Sequence, residues 1–244
     1  MDKALRDALA QAEDRHWWFE GRRRILAGIL RGLEVRGPLL EVGCGNGANL
    51  DMLADFGPVT GVEPDPQDRA RAGARRTAEV VDGALPDLPV EPGRYGAVLA
   101  LDVIEHIEDD EAAVRGLARA CRADGVVVVT VPAGPWLWSA HDTRNGHFRR
   151  YTRRTLRQVL EAGGLHVQRI SAFNMWLLPL VAVVRVLGRF VGQDHAGTGL
   201  PAHRINRMLM KLLASESRLL ARFDLPAGVS LLAVARPIPP DLHS

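Results

Sequence analysis

The densest polar chemistry in the sequence lies between residues 136 and 151, where His141, Asp142, His147, Arg149, Arg150 and Tyr151 stand beside Trp136 and Trp138. An imidazole titrates near neutrality, so His141 and His147 are candidates for taking a proton from a hydroxyl, with Asp142 able to orient one of them. His106, one turn beyond Asp102 in Leu101-Asp102-Val103-Ile104-Glu105-His106, is a further candidate. His141, Asp142 and His147 also make a set of two imidazoles and a carboxylate. Their spacing carries no fixed ligand geometry, however, and no metal site is expected. The plain alternative is that these histidines bond to the backbone and hold a long loop in shape. Arg149 and Arg150, followed by Arg153, Arg154 and Arg157, suit an anionic acceptor, or form a solvated helix face. Arg149 and Arg150, together with Trp136, Trp138, Tyr151 and Trp176, are the substrate-binding candidates.

A second constellation is built on glycine. Glu41-Val42-Gly43-Cys44-Gly45-Asn46-Gly47 follows a short apolar run and precedes helical spacing. Glycines allow tight turns and close approach of a ligand, and a helix N-terminus offers unpaired N–H groups. Such a loop is expected to cradle a nucleotide. Through Gly43, Gly45 and Ala48 it also fits the dinucleotide pattern, so an NAD(P)-dependent oxidoreductase is an alternative. Glu63 lies 22 residues after Glu41, where a carboxylate can accept both ribose hydroxyls. Asp82-Gly83-Ala84 and Asp102 end two further strands, so four strand ends converge on one crevice.

The elements that must position these groups are legible in outline. Strands are expected at 39–42, 59–62, 80–81, 95–101, 126–131, 165–170 and 230–235. Helices are expected at 4–14, 20–34, 48–56, 67–77, 109–122, 152–162, 173–191 and 202–223. The run Val126 to Val131, five valines and a threonine, must be buried on both faces. Residues 132–147 read as a long loop. Alternating strands and helices predict an α/β fold with helices on both faces of one seven-stranded sheet.

The whole chain has 244 residues, 47% hydrophobic and 25% charged, which excludes a disordered protein. Lys+Arg of 31 against Asp+Glu of 29 leaves a formal charge of +2, so no global field for nucleic acid exists. Two cysteines, Cys44 and Cys121, suit a reducing compartment. Residues 1–15 lack the apolar core of a secretory signal, and the greasy stretch Met175–Val184 is too short to span a bilayer. A cytoplasmic protein without stable membrane insertion is expected. The apolar helices 173–191 and 203–222 need cover. Packing as a cap, a wall for the acceptor, shallow membrane contact, or a homodimer through these helices would each provide it.

At this point the chain resembles the class I S-adenosylmethionine-dependent methyltransferases. The residues that carry the resemblance are Glu-Val-Gly-Cys-Gly-Asn-Gly at 41–47, Gly-Val-Glu-Pro-Asp at 61–65 and Leu-Asp-Val-Ile-Glu-His at 101–106, with Cys121 to Gly125 before a valine strand. More narrowly it is similar to a bacterial small-molecule subgroup, through His-Trp-Trp-Phe at 16–19 and Trp-Ser-x-His-Asp…His-x-Arg-Arg-Tyr at 138–151.

The resemblance implies a Rossmann-like sheet with its last strand antiparallel. It implies S-adenosylmethionine as cofactor, S-adenosylhomocysteine as product, and a methyl group passed to an oxygen or nitrogen of a small-molecule acceptor, such as a biosynthetic intermediate. A non-methylating protein that keeps the cofactor site is the further alternative. The implied cofactor residues are Glu41, Gly43, Cys44, Gly45 and Gly47 on the loop, then Glu63 and Pro64. Asp82, Gly83 and Ala84 would border the adenine, although Asp-Gly is also a plain turn. Leu101, Asp102 and Val103 would line the methionyl side. Residues 16–22 are expected as a lid, with Trp17 and Trp18 against the sulfonium and Arg22 near the cofactor's carboxylate; the alternative is that both tryptophans seal a helix. One domain is expected over 1–244: a helical lid at 1–36, a cofactor-binding core at 37–172, a helical cap at 173–223, and the last strand and tail at 224–244.

Overall fold

The computed structural model describes residues 15–35, 37–191 and 201–238, with side chains through 185 in the helix that ends at 191. The helical piece expected at 4–14 and most of the connection at 193–201 lie outside these residues.

The described chain runs α1 (Trp17–Gly32), β1 (Leu39–Val42), α2 (Leu50–Leu53), β2 (Val59–Val62), α3 (Pro66–Ala74), β3 (Glu79–Val81), β4 (Tyr95–Leu101), α4 (Asp110–Ala120) and β5 (Cys121–Pro132). It continues with α5 (Ala140–Asn145), α6 (Arg153–Ala162), β6 (Leu165–Phe173), α7 (Leu178–Val191), α8 (His203–Leu220) and β7 (Ser230–Pro237). The seven strands form one sheet in the order β3-β2-β1-β4-β5-β7-β6. β7 runs antiparallel to both neighbours, and the remaining pairings are parallel. The order reverses between β1 and β4, so the carboxyl ends of these two strands flank the crevice where such sheets take ligands.

The valine run shows why the sheet is covered twice. Val127, Val129 and Val131 join one apolar cluster, whereas Val126 and Val128 join the other. Strand side chains alternate between faces, so a run with no polar alternation needs helices on both. Val114 and Leu117 of α4 and Leu156 and Leu160 of α6 cover the first face. Ile25, Leu26, Ile29 and Leu30 form the stripe by which α1 covers the second, beside Leu213 and Leu220 of α8. Each such side chain contributes about 1.5–3 kcal/mol on burial.

Several local readings change. The aromatic cluster at 16–19 does not stand ahead of a helix that begins at 20. It is the first turn of α1, with His16 as N-cap accepting from the Trp18 N–H at 3.3 Å. The segment 132–147 is not all loop. It contains a 3-10 turn at Pro135–Leu137 and α5, whose start is a capping box in which Ser139 N–H donates to the Asp142 carboxylate at 2.9 Å. Phe173 ends β6 instead of opening a helix, and is fully buried. Cys121–Pro132 is one strand that begins before the expected Val126, with an irregular register between Cys121 and Val126. Across residues 173–223, α8 packs along α1, while α7 meets the Pro135–Leu137 turn. Gly21 marks the first contact: a Cβ there would fall 2.7 Å from Leu213 Cδ2.

Candidate active site

The glycine loop leaves β1 and enters α2 with three left-handed glycines, at φ +68° for Gly43, +54° for Gly45 and +81° for Gly47. A Cβ on Gly43 would fall 2.7 Å from Val103 Cγ2, so this glycine lets the loop press against the segment after β4. A Cβ on Gly45 would meet nothing within 4 Å. No atom of the described residues fills that open side, which is the shape of a cradle for a ligand. The Gly45 N–H donates to Glu63 Oε2 at 2.8 Å, and the Asp65 N–H donates to Glu63 Oε1 at 2.9 Å. Burial raises the Glu63 pKa, and these two donors oppose that rise. Each oxygen keeps lone-pair capacity, as holding two ribose hydroxyls requires.

The other loop residues pack and brace. Cys44 is buried, its sulfur would fall 2.8 Å from a Cβ on Gly61, and burial pushes its thiol far above the ordinary range. Glu41 is buried and accepts from Asn49 Nδ2 at 2.6 Å. Pro64 and Asp82 sit at the β2 and β3 ends, where Arg69 donates to the Pro64 carbonyl and the Asp82 carboxylate, each at 3.0 Å. Gly83 packs against Pro89, and Ala84 is exposed.

On the far side of the crevice, Asp102 follows buried Leu101 in a left-handed conformation, φ +59°. Thr130 fixes it twice: its carbonyl accepts from the Asp102 N–H at 2.9 Å and its hydroxyl donates to Oδ1 at 3.1 Å. The Arg22 guanidinium, from α1, is hydrogen-bonded to Oδ2. Arg22 Nε is buried and bonded to no group among the described residues. A buried donor at this position fits the carboxylate of an amino-acid moiety. Trp17 and Trp18 seat the same helix. Trp17 N–H donates to Asn206 Oδ1 at 2.9 Å, and Trp18 stacks on Phe173 with ring centroids 5.9 Å apart. Both therefore pack α1 against α8 and the end of β6.

Beyond Asp102 lies a polar cluster. His106 and His147 meet edge to face with centroids 4.7 Å apart, and Phe148 N–H donates to the Glu105 carbonyl at 2.8 Å. This joins the 136–151 segment to the β4 end. Glu105 was not singled out from the sequence. It is 0% exposed, and burial together with Asp102 holds its pKa well above the usual carboxylate range. Burial and then His147 lower the His106 pKa.

Asp142 is the hub behind this cluster. It accepts from Arg150 Nε at 2.8 Å and Arg185 at 3.1 Å, and lies 3.0 Å from His147 Nδ1. Although burial opposes it, these donors hold its carboxyl well below the ordinary range. Asp142 is thus spent on protein donors, which removes it from the ligand set of His141, Asp142 and His147. His141 lies 3.0 Å from Asn145 Nδ2, and burial with Arg185 pushes its pKa down to about 4, a poor match for a base working near neutrality.

The substrate candidates divide. Arg150 is buried between Asp142 and the Ala133 carbonyl. Tyr151 donates its hydroxyl to Asp110 at 2.7 Å, and Arg149 pairs with the same Asp110 at 2.6 Å and with the Glu108 carbonyl. These three brace the loop from inside, so neither Tyr151 nor Arg150 presents a free polar group to an acceptor. Arg153, Arg154 and Arg157 are exposed on α6, where Arg153 bonds the Leu225 carbonyl and Arg157 pairs with Glu161, whereas Arg150 is buried apart from them. Trp136 and Trp176 are exposed, and Trp138 is half-buried.

Comparison with known proteins agrees with this geometry. A family described as a methyltransferase domain matches residues 11–170. A probable S-adenosylmethionine-dependent methyltransferase of Mycolicibacterium smegmatis is 28% identical over 179 residues, covering 68% of this chain and 69% of that protein. A ubiquinone biosynthesis O-methyltransferase of Methylobacterium nodulans is 37% identical over 94 residues, 36% of this chain and 38% of that one. Among solved structures, a geranyl diphosphate methyltransferase in complex with S-adenosylmethionine shares the fold, with a TM-score of 0.60, 16% identity and 90% of each chain covered. These relatives favour a methyl donor over a nicotinamide.

Proposed function

Because this chain belongs to the class I S-adenosylmethionine-dependent methyltransferases, we propose that it methylates a hydroxyl oxygen of a small, largely apolar biosynthetic intermediate. Its cofactor is S-adenosylmethionine, which when bound supplies a methyl group on a positively charged sulfur. The chain's own task is then to bind and align, because holding two reactants in line is worth several kcal/mol of barrier. Gly43, Gly45 and Gly47 would carry the backbone around the cofactor, Glu63 would hold its ribose, and Arg22 Nε would meet its carboxylate. Asp102, held by Arg22 and Thr130, would border the methionyl side, and α1 would exclude water from that end.

The observation that carries the acceptor reading is the juxtaposition of this cradle with His106 and His147, joined by the contact between Gly43 and Val103. The two imidazoles would hold the acceptor hydroxyl, with Asp142 fixing the His147 ring. The O-methyltransferase among the relatives supports oxygen over nitrogen. Trp136 and Trp176, exposed beside α7, would supply an apolar wall. A cytoplasmic location goes with this reading; no described helix is long and apolar enough to cross a membrane. A homodimer through exposed Leu180, Val183, Ile205 and Met208 also goes with it; sedimentation tests that contact.

Calorimetric titration with S-adenosylmethionine, S-adenosylhomocysteine and NADH tests the cofactor. A labelled-methyl assay over phenols, aliphatic alcohols and amines tests the acceptor. Binding of the first two ligands with label appearing on phenols or alcohols is expected. Label on amines alone would overturn the oxygen reading.

A further inference from the structure

The geometry points to a divalent transition-metal site formed by Glu105, His106 and His147. It rests on the reading that the acceptor oxygen lies against these side chains. One ligating atom from each of the three lies within 4.8 Å of the other two. Glu105 is 0% exposed, and neither carboxylate oxygen accepts a hydrogen bond among the described residues. A buried carboxylate without a donor is costly, and proteins pair such groups or give them to a metal ion. Asp102, Arg22 and Arg150 lie close enough to act on its charge, and two imidazoles stand within ligating reach.

The surroundings are those of a ligand set. Asp142 Oδ1, 3.0 Å from Nδ1 of His147, takes that nitrogen and leaves Nε2 to ligate. A carboxylate behind a ligating imidazole is the usual outer partner of a metal-bound histidine, fixing its tautomer and ring orientation. Asp142 is itself anchored by Arg150 and Arg185, so it orients without ligating. The bond from Phe148 N–H to the Glu105 carbonyl, 2.8 Å, ties the two chain segments that supply the ligands. His106 is exposed, so the cluster opens to solvent on one side. Metal–nitrogen and metal–oxygen distances of about 2.0–2.2 Å require the donors to draw closer, and the His106 ring would turn from the Asn145 and Gly146 backbone groups that it bonds.

Two imidazoles and one carboxylate suit zinc, cobalt, iron or manganese in the divalent state, whereas magnesium prefers oxygen ligands and retained water. Three protein ligands leave coordination positions open. From there a cation would polarise the oxygen of a bound hydroxyl.

The test uses the tag-free full chain, stripped with a chelator and titrated with Co2+ while its visible absorption is followed. One equivalent of Co2+ with ligand-field bands, displaced by Zn2+ and untouched by Mg2+, is expected. Glu105→Gln, which keeps the side chain's size and so spares the fold, should weaken Co2+ binding about 100-fold or more, as should His147→Ala. Absence of stoichiometric uptake, or uptake unchanged in both variants, would overturn the site. S-adenosylmethionine titration of the same samples separates the two readings. Cofactor binding without Co2+ uptake sinks the metal site alone, and Co2+ uptake without cofactor binding sinks the methyl-transfer reading alone.

Discussion

Arg22 on the first described helix is ion-paired with Asp102, eighty residues later, at the end of the strand beside the switch point. The pair fastens α1 over one end of the crevice. It also turns a residue at the carboxyl end of the central strand and a residue of α1 into one unit. Thr130 holds Asp102 from β5, so three separate elements meet at a single carboxylate.

Arg22→Met leaves Asp102 without its cation. Breaking a buried pair by removing one partner costs about 3–5 kcal/mol, and the side chain of Asp102 is 26% exposed, so a loss of about 2–3 kcal/mol is expected in urea unfolding. Affinity for S-adenosylmethionine should fall more than tenfold by calorimetry. Arg22→Lys should not restore it, because an ammonium cannot serve Asp102 and a second carboxylate in the fork geometry of a guanidinium.

The glycines of the loop should separate stability from binding. Gly43→Ala drives a Cβ to 2.7 Å from Val103 at a positive φ, so both the melting temperature and cofactor affinity should drop. Gly45→Ala places its methyl in open space and incurs only the left-handed strain of about 1–2 kcal/mol. Its fold should persist while S-adenosylmethionine binding is lost. Normal affinity in the Gly45→Ala protein would show that the cofactor does not pass over this residue.

Glu63 gives a pH signature with two opposite signs. Its folded pKa is raised, so its contribution to the stability of the free protein is present below the unfolded value, near 4.3, and is lost as pH rises through the folded one. Holding ribose hydroxyls needs the ionised form. On acidification the Glu63 share of free-protein stability should therefore rise while cofactor affinity falls, beginning above the pH at which an exposed glutamate would titrate. The difference between wild type and Glu63→Gln, in melting temperature and calorimetric affinity, isolates both effects. Parallel pH profiles of affinity in the two proteins would remove Glu63 from the ribose site.

Glu216 is the anchor by which α8 holds the start of α7. Its buried carboxylate accepts the N–H groups of Asn174, Met175 and Trp176 at 2.6, 2.8 and 3.1 Å. Hydrogen bonds to a charged group are worth about 1.5–3 kcal/mol each, so Glu216→Ala should destabilise by at least about 3 kcal/mol. Glu216→Gln, which keeps one acceptor oxygen, should lose less. Amide exchange at residues 174–176 should quicken in both.

The local signals of the chain were enough for its strands, because a run such as Val126 to Val131 can satisfy two covered faces only inside a sheet. They were also enough for the glycine loop, whose backbone turns need glycine whatever the surroundings. The capping box of Ser139 and Asp142, a polar pair three residues apart, was missed because its loop-like neighbours hid it. Other assignments depended on distant contacts. Arg150 and Tyr151 have the side chains of substrate ligands, yet Asp142 and Asp110 claim them inside the core. Phe173 reads as helical with the apolar residues after it, but strand pairing with Ser230 takes it into β6. Glu105 sits in a motif that draws the eye to Asp102 and His106, and only the packing of the 136–151 segment buries it. Periodicity and turn chemistry act over a few residues, so the sequence by itself determined the strands and the nucleotide turn. Burial and charge pairing act between residues that the chain separates by dozens of positions, and so the tertiary structure alone decided which polar groups brace the site and which face the crevice.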